Sequence, residues 1–138
     1  MAKVVLDAED GARKPIHGAE IASGVTIVEG DLIGLNSSGN IILATSVSGG
    51  NVHARGFALT DKVMGAFGNT KTLTRMAFFD VGKVGGYSSL TIGGAVFLGA
   101  AGDITQTEPS TGKVRQVVGF AVSATEVMFN ITPDFTIA

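Results

Sequence analysis

Cysteine is absent from this 138-residue chain, which excludes both a disulfide framework and a thiolate metal site. No apolar run approaches the roughly 18 residues of a membrane-spanning helix. Lys3 is followed by only Val4-Val5-Leu6 before Asp7 interrupts, too short a stretch for the apolar region of a secretory signal. A soluble protein made in a cytoplasm is the expectation, and the sequons Asn36-Ser37-Ser38 and Asn130-Ile131-Thr132 then carry no meaning. Charge is scarce as well. Charged residues make up 16% of the chain, against about 25% in an average domain. So few charges cannot cover the surface of an isolated monomer, and part of that surface is expected to lie against another copy or a partner. The ten basic residues are scattered and the net charge is −2, which argues against a footprint for nucleic acid or an anionic membrane.

Helical periodicity is also missing: no window of 11 or more residues repeats its apolar positions every 3.6 residues. Twenty glycines punctuate short elements instead. Strands are expected at Val25–Val28, Asp31–Leu35, Ile41–Thr45, Val52–Leu59, Leu73–Asp80, Lys83–Tyr87, Ala95–Leu98, Asp103–Thr107, Val114–Val122 and Glu126–Ile131. These segments are rich in Val, Ile, Phe and Thr and bounded by Gly, Ser and Asn. Asp61–Phe67 has the composition for one helical turn. The fold class is all-β, a compact β-barrel or β-sandwich of the β-tulip kind, with the barrel or sandwich choice left open. Alternating apolar residues of Val114–Val122 and Glu126–Ile131 are expected to fill its interior.

The chain also says one thing twice. Val25-Thr26-Ile27, Gly30, Leu32-Ile33, a turn at Gly39-Asn40, Ile41 and Gly56-Phe57-Ala58 are answered by Leu90-Thr91-Ile92, Gly94, Val96-Phe97, a turn at Gly102-Asp103, Ile104 and Gly119-Phe120-Ala121. From Gly39 to Thr60 the second copy lies 63 residues downstream without a gap, and earlier positions align with a shift of one or two residues. The pseudo-repeats span about 25–64 and 90–128 of a single β domain, 25–138. The two glycine turns suit tight hairpins, because glycine takes the positive φ such turns need. Glycine within a strand pattern at 56 and 119 marks a bulge, a bend or a close backbone approach.

Residues 1–24 stand apart. They hold Lys3, Asp7, Glu9, Asp10, Arg13, Lys14 and Glu20, seven of the 22 charged residues, with Pro15 and no counterpart in the second half. Two readings stay open: an extended N-terminal arm that reaches a neighbour, or a plain first strand at Lys3–Leu6 followed by a surface loop.

Catalytic patterns are thin. His17 and His53 are the only histidines, and His53 reads as an exposed strand residue with Gln116 at its counterpart. No G-x-S-x-G elbow occurs, since Gly86-Tyr87-Ser88-Ser89-Leu90 fails at its last position. Gly82-Lys83-Val84-Gly85-Gly86 lacks the spacing and the helix of a phosphate loop and reads as a β-turn between Asp80 and Tyr87. Asp7-Ala8-Glu9-Asp10-Gly11 begins like a calcium loop but has no bidentate glutamate twelve residues from its start, so it reads as a solvated acidic turn. Lys71, Arg75 and Phe78-Phe79 are the nearest approach to a basic, aromatic nucleic-acid surface, and a strand exposes only one of two adjacent rings. No catalytic residue, cofactor or metal site is assigned.

The C-terminal half carries a resemblance. Gly94-Ala95-Val96-Phe97-Leu98-Gly99, Gly102-Asp103-Ile104-Thr105-Gln106-Thr107, Pro109, Gly112, Val117-Val118-Gly119-Phe120-Ala121 and Met128-Phe129 resemble the tail of the capsid decoration proteins of tailed bacteriophages, also called structural cement or head-stabilising proteins. Arg55-Gly56-Phe57-Ala58-Leu59 and Val81-Gly82-Lys83-Val84 are similar to earlier segments of that family, so the resemblance covers roughly Val25 to Ile131. It implies a non-enzymatic β module, commonly a homotrimer, on the outer surface of the virion. There it would bind the major capsid protein and brace the mature head against internal DNA pressure. Some members of the family reach over a neighbouring subunit with an N-terminal arm. Lys3, Val4, Val5 and Leu6 are therefore expected to pair with a neighbour, and Arg13 and Lys14 to meet carboxylates on a partner. The alternatives are another virion module, such as a head-fibre base or a tail-associated protein, and a small β-barrel ligand-binding protein. The last would require a pocket with convergent polar groups.

Overall fold

The computed structural model describes residues 3–9, 19–22, 25–58, 62–63, 75–76 and 78–138. The fold is all-β, and the described residues contain no helix. The strands in chain order are β1 (Val4–Glu9), β2 (Ala19–Glu20), β3 (Thr26–Ile27), β4 (Leu32–Leu35), β5 (Ile41–Leu43), β6 (Gly56–Ala58), β7 (Lys62–Val63) and β8 (Arg75–Met76). They continue with β9 (Phe78–Phe79), β10 (Val81–Gly85), β11 (Ala95–Leu98), β12 (Ile104–Thr105), β13 (Val114–Arg115), β14 (Val117–Ala121), β15 (Glu126–Asn130) and β16 (Thr136–Ile137). Two sheets dominate. One runs β5-β4-β6-β9 and the other β1-β10-β15-β14-β11-β12. All the ladder pairings between named strands are antiparallel.

The repeat written in the sequence is a repeat of register. Leu32 pairs with Phe57 and Ile33 with Gly56; 63 residues on, Ala95 pairs with Phe120 and Val96 with Gly119. Gly34↔Ile42 and Leu35↔Ile41 recur as Phe97↔Thr105 and Leu98↔Ile104. The turns repeat with the strands: Gly30, Gly39 and Gly49 have φ of 86°, 80° and 85°, and Gly93, Gly102 and Gly112 have 79°, 84° and 90°. Loop hydrogen bonds repeat too. Gly30 N–H donates to Ala58 O at 2.8 Å and Gly93 N–H to Ala121 O at 2.7 Å; Asp31 N–H donates to Val28 O and Gly94 N–H to Thr91 O, both at 3.0 Å. The constant offset therefore begins at Val28, and the one- or two-residue shift read before Gly39 is corrected over Val28 to Gly39. Gly30 answers to Gly93, not to Gly94.

The two copies stack with opposite consequences for their faces. Leu32, Ala44, Ala54 and Phe57 of the first copy share a core with Val96, Leu98, Val114 and Val118 of the second, together with Val84, Val127, Phe129 and Ile131. Phe57 lies against Phe129 with ring centroids 5.5 Å apart. The other face of the first copy, Ile33, Ile41 and Ala58, is buried in a second core with Ile21 and Ile27. The first sheet is thus apolar on both faces, which explains the unbroken run Leu32-Ile33-Gly34-Leu35 where a half-exposed strand would alternate. Backbone hydrogen bonds join the copies: Leu32 N–H to Gly102 O at 2.9 Å, Gly102 N–H to Ala44 O at 2.6 Å and Ser46 N–H to Gly99 O at 2.8 Å.

Two expectations from the sequence need correction, and one strand was not expected. The glycine run at 82–86 is not a turn: Val81–Gly85 is a strand held between β1 and β15, where glycine lets Leu6 pack close against Gly85. Asp7 and Glu9 do not form an acidic turn, because β1 continues through Glu9. Thr136–Ile137 forms an additional strand against Val114–Arg115. Of Asp61–Phe67, Lys62–Val63 is a strand paired with β3, and the rest lies outside the described residues.

Candidate interaction surface

The N-terminal residues singled out in the sequence lie within the sheet of their own chain. Val4 pairs with Gly85 and Val5 with Val84, and β1 forms the end strand of the sheet. An end strand leaves one row of backbone groups open to association, and proteins blunt such edges with charge, bulges or covering turns. Here the register shifts between Val5 and Asp7, and the Glu29 carboxylate accepts the Val5 N–H at 2.7 Å. Val5 packs on the main core, while Leu6 is 48% exposed. Lys3 donates from Nζ to Asp31 Oδ1, and both side chains are largely buried. Asp31 also accepts the Val28 N–H through Oδ2 at 2.9 Å. Lys3 is thus engaged within the chain. Arg13 and Lys14 lie outside the described residues, as does His17.

His53 is not the exposed strand residue expected: it lies outside the strands, before β6, and is partly buried. Its ring stacks on Phe135, with centroids 4.6 Å apart and 18° between planes. Partial burial lowers the imidazole pKa from its ordinary value, and the nearby Arg55 charge adds to the effect. Its counterpart Gln116 is 1% exposed and ties the copies together, a role the sequence did not signal because glutamine is usually a surface residue.

Among the described residues, an exposed apolar row lies on the outer face of the larger sheet. Residues paired directly across strands share a face, so Lys83, Met128, Phe120 and Ala95 form one row. A bulge brings Val117 to the same side: Val96 pairs with Gly119 and Phe97 with Val117, leaving Val118 as the extra residue, buried in the core. Gly119 is needed here, since a Cβ would strike the Met128 carbonyl oxygen. Phe120 is 47% and Val117 45% exposed. The rim carries both signs. Arg115 stands over the Phe97 ring, 5.3 Å from its centroid, and donates from Nε to Glu108 Oε1 at 2.8 Å. Lys83 and Glu126 approach to 3.9 Å.

A cleft of about 610 Å³ opens at the start of β1, lined by Lys3, Tyr87, Leu90, Asp103 and Gln106 among others. Most of its polar groups are already bonded within the chain: Lys3 to Asp31, Gln106 to the backbone N–H and carbonyl of Thr91, and Asp103 to the Ile104 N–H. The Tyr87 hydroxyl is buried with no hydrogen-bond partner among the described residues. Burial, then the charges of Asp103 and Asp31, hold this phenol well above its usual pKa. Among the described residues no three His, Asp or Glu side chains gather as a metal site, and no helix is long and apolar enough to cross a membrane. No protein-family model matches the chain, and no curated protein matches it.

Proposed function

We propose that this chain is a non-enzymatic decoration protein of a tailed-phage head, binding the major capsid protein on the outer surface of the expanded shell and stabilising it against internal DNA pressure. One observation carries the reading most. The segments that resemble the decoration family are contiguous in space: Ala95–Leu98, Ile104–Thr105, Val117–Ala121 and Met128–Phe129 lie on the four adjacent strands β12-β11-β14-β15, and their outer face is apolar and exposed. A shell repeats the same contact hundreds of times, so each contact can be modest, and every bound copy stabilises the native lattice by mass action. Arg13 and Lys14 are assigned to carboxylates of the partner. The test is co-sedimentation of the purified chain with expanded, undecorated heads assembled from the major capsid protein of the same genome. A decoration protein is expected in the pellet at saturable stoichiometry; a chain left in the supernatant refutes the proposal.

A second reading, a small-ligand binding module, has the cleft at Tyr87 in its favour, because a buried hydroxyl without a partner is a place for a ligand acceptor. Most of its other polar groups are bonded within the chain, which leaves little to fix a ligand's orientation.

A further inference from the structure

The repeat places the outer edges of its two copies in register as well. β5 ends one of the two main sheets and β12 ends the other. Ile41 of β5 answers to Ile104 of β12, the first paired with Leu35 and the second with Leu98. The turn before each is closed by the same bond: Asn36 N–H donates to Asn40 O and Gly99 N–H to Asp103 O, both at 2.9 Å. Backbone groups alternate in direction along an antiparallel ladder, so the Ile41 and Ile104 carbonyls both point away from their own sheet. In the first copy that carbonyl is occupied. Ile21 lies beside Ile41 in a parallel bridge, and Ala22 N–H donates to Ile41 O at 2.9 Å. The Ile21 side chain is buried with Ile33, Ile41 and Ala58.

Ile33, Ile41 and Ala58 have their counterparts in Val96, Ile104 and Ala121. Ile21 has none at this place, because the chain 63 residues on runs elsewhere: Val84 is held in mid-sheet between Val5 and Val127. Among the described residues no strand or bridge lies on the outer side of Ile104. The cleft of about 610 Å³ opens there instead, with Tyr87, Leu90, Ile104 and Gln106 on its walls. A second cleft, of about 320 Å³, runs along the same Ile104 and Thr105 beside Val47 and Pro109.

We infer that the outer edge of β12 is a binding site for an extended segment of another protein, which adds to Ile104 as Ile21 and Ala22 add to Ile41. The occupied edge defines the chemistry of the guest. It carries a branched aliphatic side chain, set against Leu90 and Ile104, and then a small residue whose N–H donates to the Ile104 carbonyl. Asp103 Oδ1 already accepts the Ile104 N–H at 2.8 Å, so the carbonyl is the group left to the guest. The buried Tyr87 hydroxyl, which has no partner among the described residues, supplies a donor for a guest carbonyl oxygen. A second copy is not the source, since Ile21 and Ala22 of each chain are committed to their own Ile41. The site requires neither a capsid nor a small ligand.

The probe is the acetylated, amidated peptide Ala-Glu-Ile-Ala-Ser-Gly, the sequence of residues 19–24, titrated into the full chain at millimolar concentration. Tyr87 is the only tyrosine and tryptophan is absent, so tyrosine fluorescence reads this cleft alone, and amide NMR shifts place the peptide. A saturable fluorescence change is expected, with shifts at Ile104 and Thr105. A peptide N-methylated at the alanine after isoleucine lacks the donor for the carbonyl, and one with aspartate in place of isoleucine lacks the apolar anchor. Each is expected to bind about tenfold more weakly. Absence of saturation, shifts confined to another surface, or equal binding of the N-methylated peptide overturns the inference.

Discussion

Gln116 grips the backbone of Ala54 at both ends. Its side-chain carbonyl accepts the Ala54 N–H at 2.7 Å, and its amide donates to Ala54 O at 2.8 Å and to Thr132 O at 2.8 Å. One buried side chain thus satisfies three backbone groups at the junction of the two copies. Gln116→Leu fills the volume but leaves those groups unpaired. Each unpaired buried group costs about 1–3 kcal/mol, so the variant is expected to lose roughly 3 kcal/mol or more of unfolding free energy in urea titration. A loss below about 0.5 kcal/mol, the range of a neutral surface change, would show that the clamp does not hold the copies together.

Gly39 and Gly102 occupy the same turn position with φ of 80° and 84°, yet their surroundings differ. A Cβ on Gly39 meets nothing within 4 Å, whereas one on Gly102 meets Leu43 Cδ2 at 2.9 Å and Asp31 Cγ at 3.2 Å. Gly39→Ala should cost only the backbone strain, about 1–2 kcal/mol. Gly102→Ala should cost measurably more, because Asp31 is also held by Lys3 and cannot give way freely. Equal losses in the two variants would contradict the stacking of the copies at this turn.

His53 ties stability to pH. Its folded pKa lies below the ordinary 6.5, so between those two values the unfolded chain binds more protons than the folded one. The stability contribution is present above pH 6.5 and is lost as pH falls through the folded value. In wild type the melting temperature is expected to fall between about pH 7 and pH 5 more steeply than in His53→Asn. Phe135→Ala, which opens the ring to water, should move the His53 titration up toward 6.5, read by proton NMR. An unmoved titration would show that Phe135 does not shield the imidazole.

Removal of the Tyr87 hydroxyl separates the two functional readings. A buried hydroxyl without a partner costs stability, so Tyr87→Phe is expected to be neutral or to gain up to about 1–2 kcal/mol. The raised phenol pKa adds a second signature. Above pH 10 the unfolded chain releases this proton more readily than the folded one, so wild type loses stability with rising pH and Tyr87→Phe loses less. A clear destabilisation by Tyr87→Phe would mean that the hydroxyl is bonded within the chain, and would remove the observation that favours the cleft as a binding site.

The sequence was informative where one residue type has one job. Gly39 and Gly102 announced their turns because positive φ selects glycine, and Ala95–Leu98 emerged with its bounds unchanged. The repeat was visible for the same reason, since its glycines recur at a fixed distance. What it could not show is which copy of a face is covered. Phe57 and Phe120 are the same residue in the same register, one 0% and the other 47% exposed, and the difference comes from what stacks on them. Gln116 was missed because its partners are backbone groups as far as 62 residues away. The glycine run at 82–86 was misread because glycine signals a turn and a close approach alike, and β10 uses it for the second. The N-terminal strand was offered as one of two readings, and only pairing with β10 shows where it lies.

Stabilisation of a phage head is read most directly as the temperature at which DNA-filled, expanded heads release their DNA, followed with a DNA-binding dye, with and without saturating protein. Added chain is expected to raise the release temperature, with an effect that saturates as the bound copies do. An unchanged release temperature at saturating protein would contradict a decoration role.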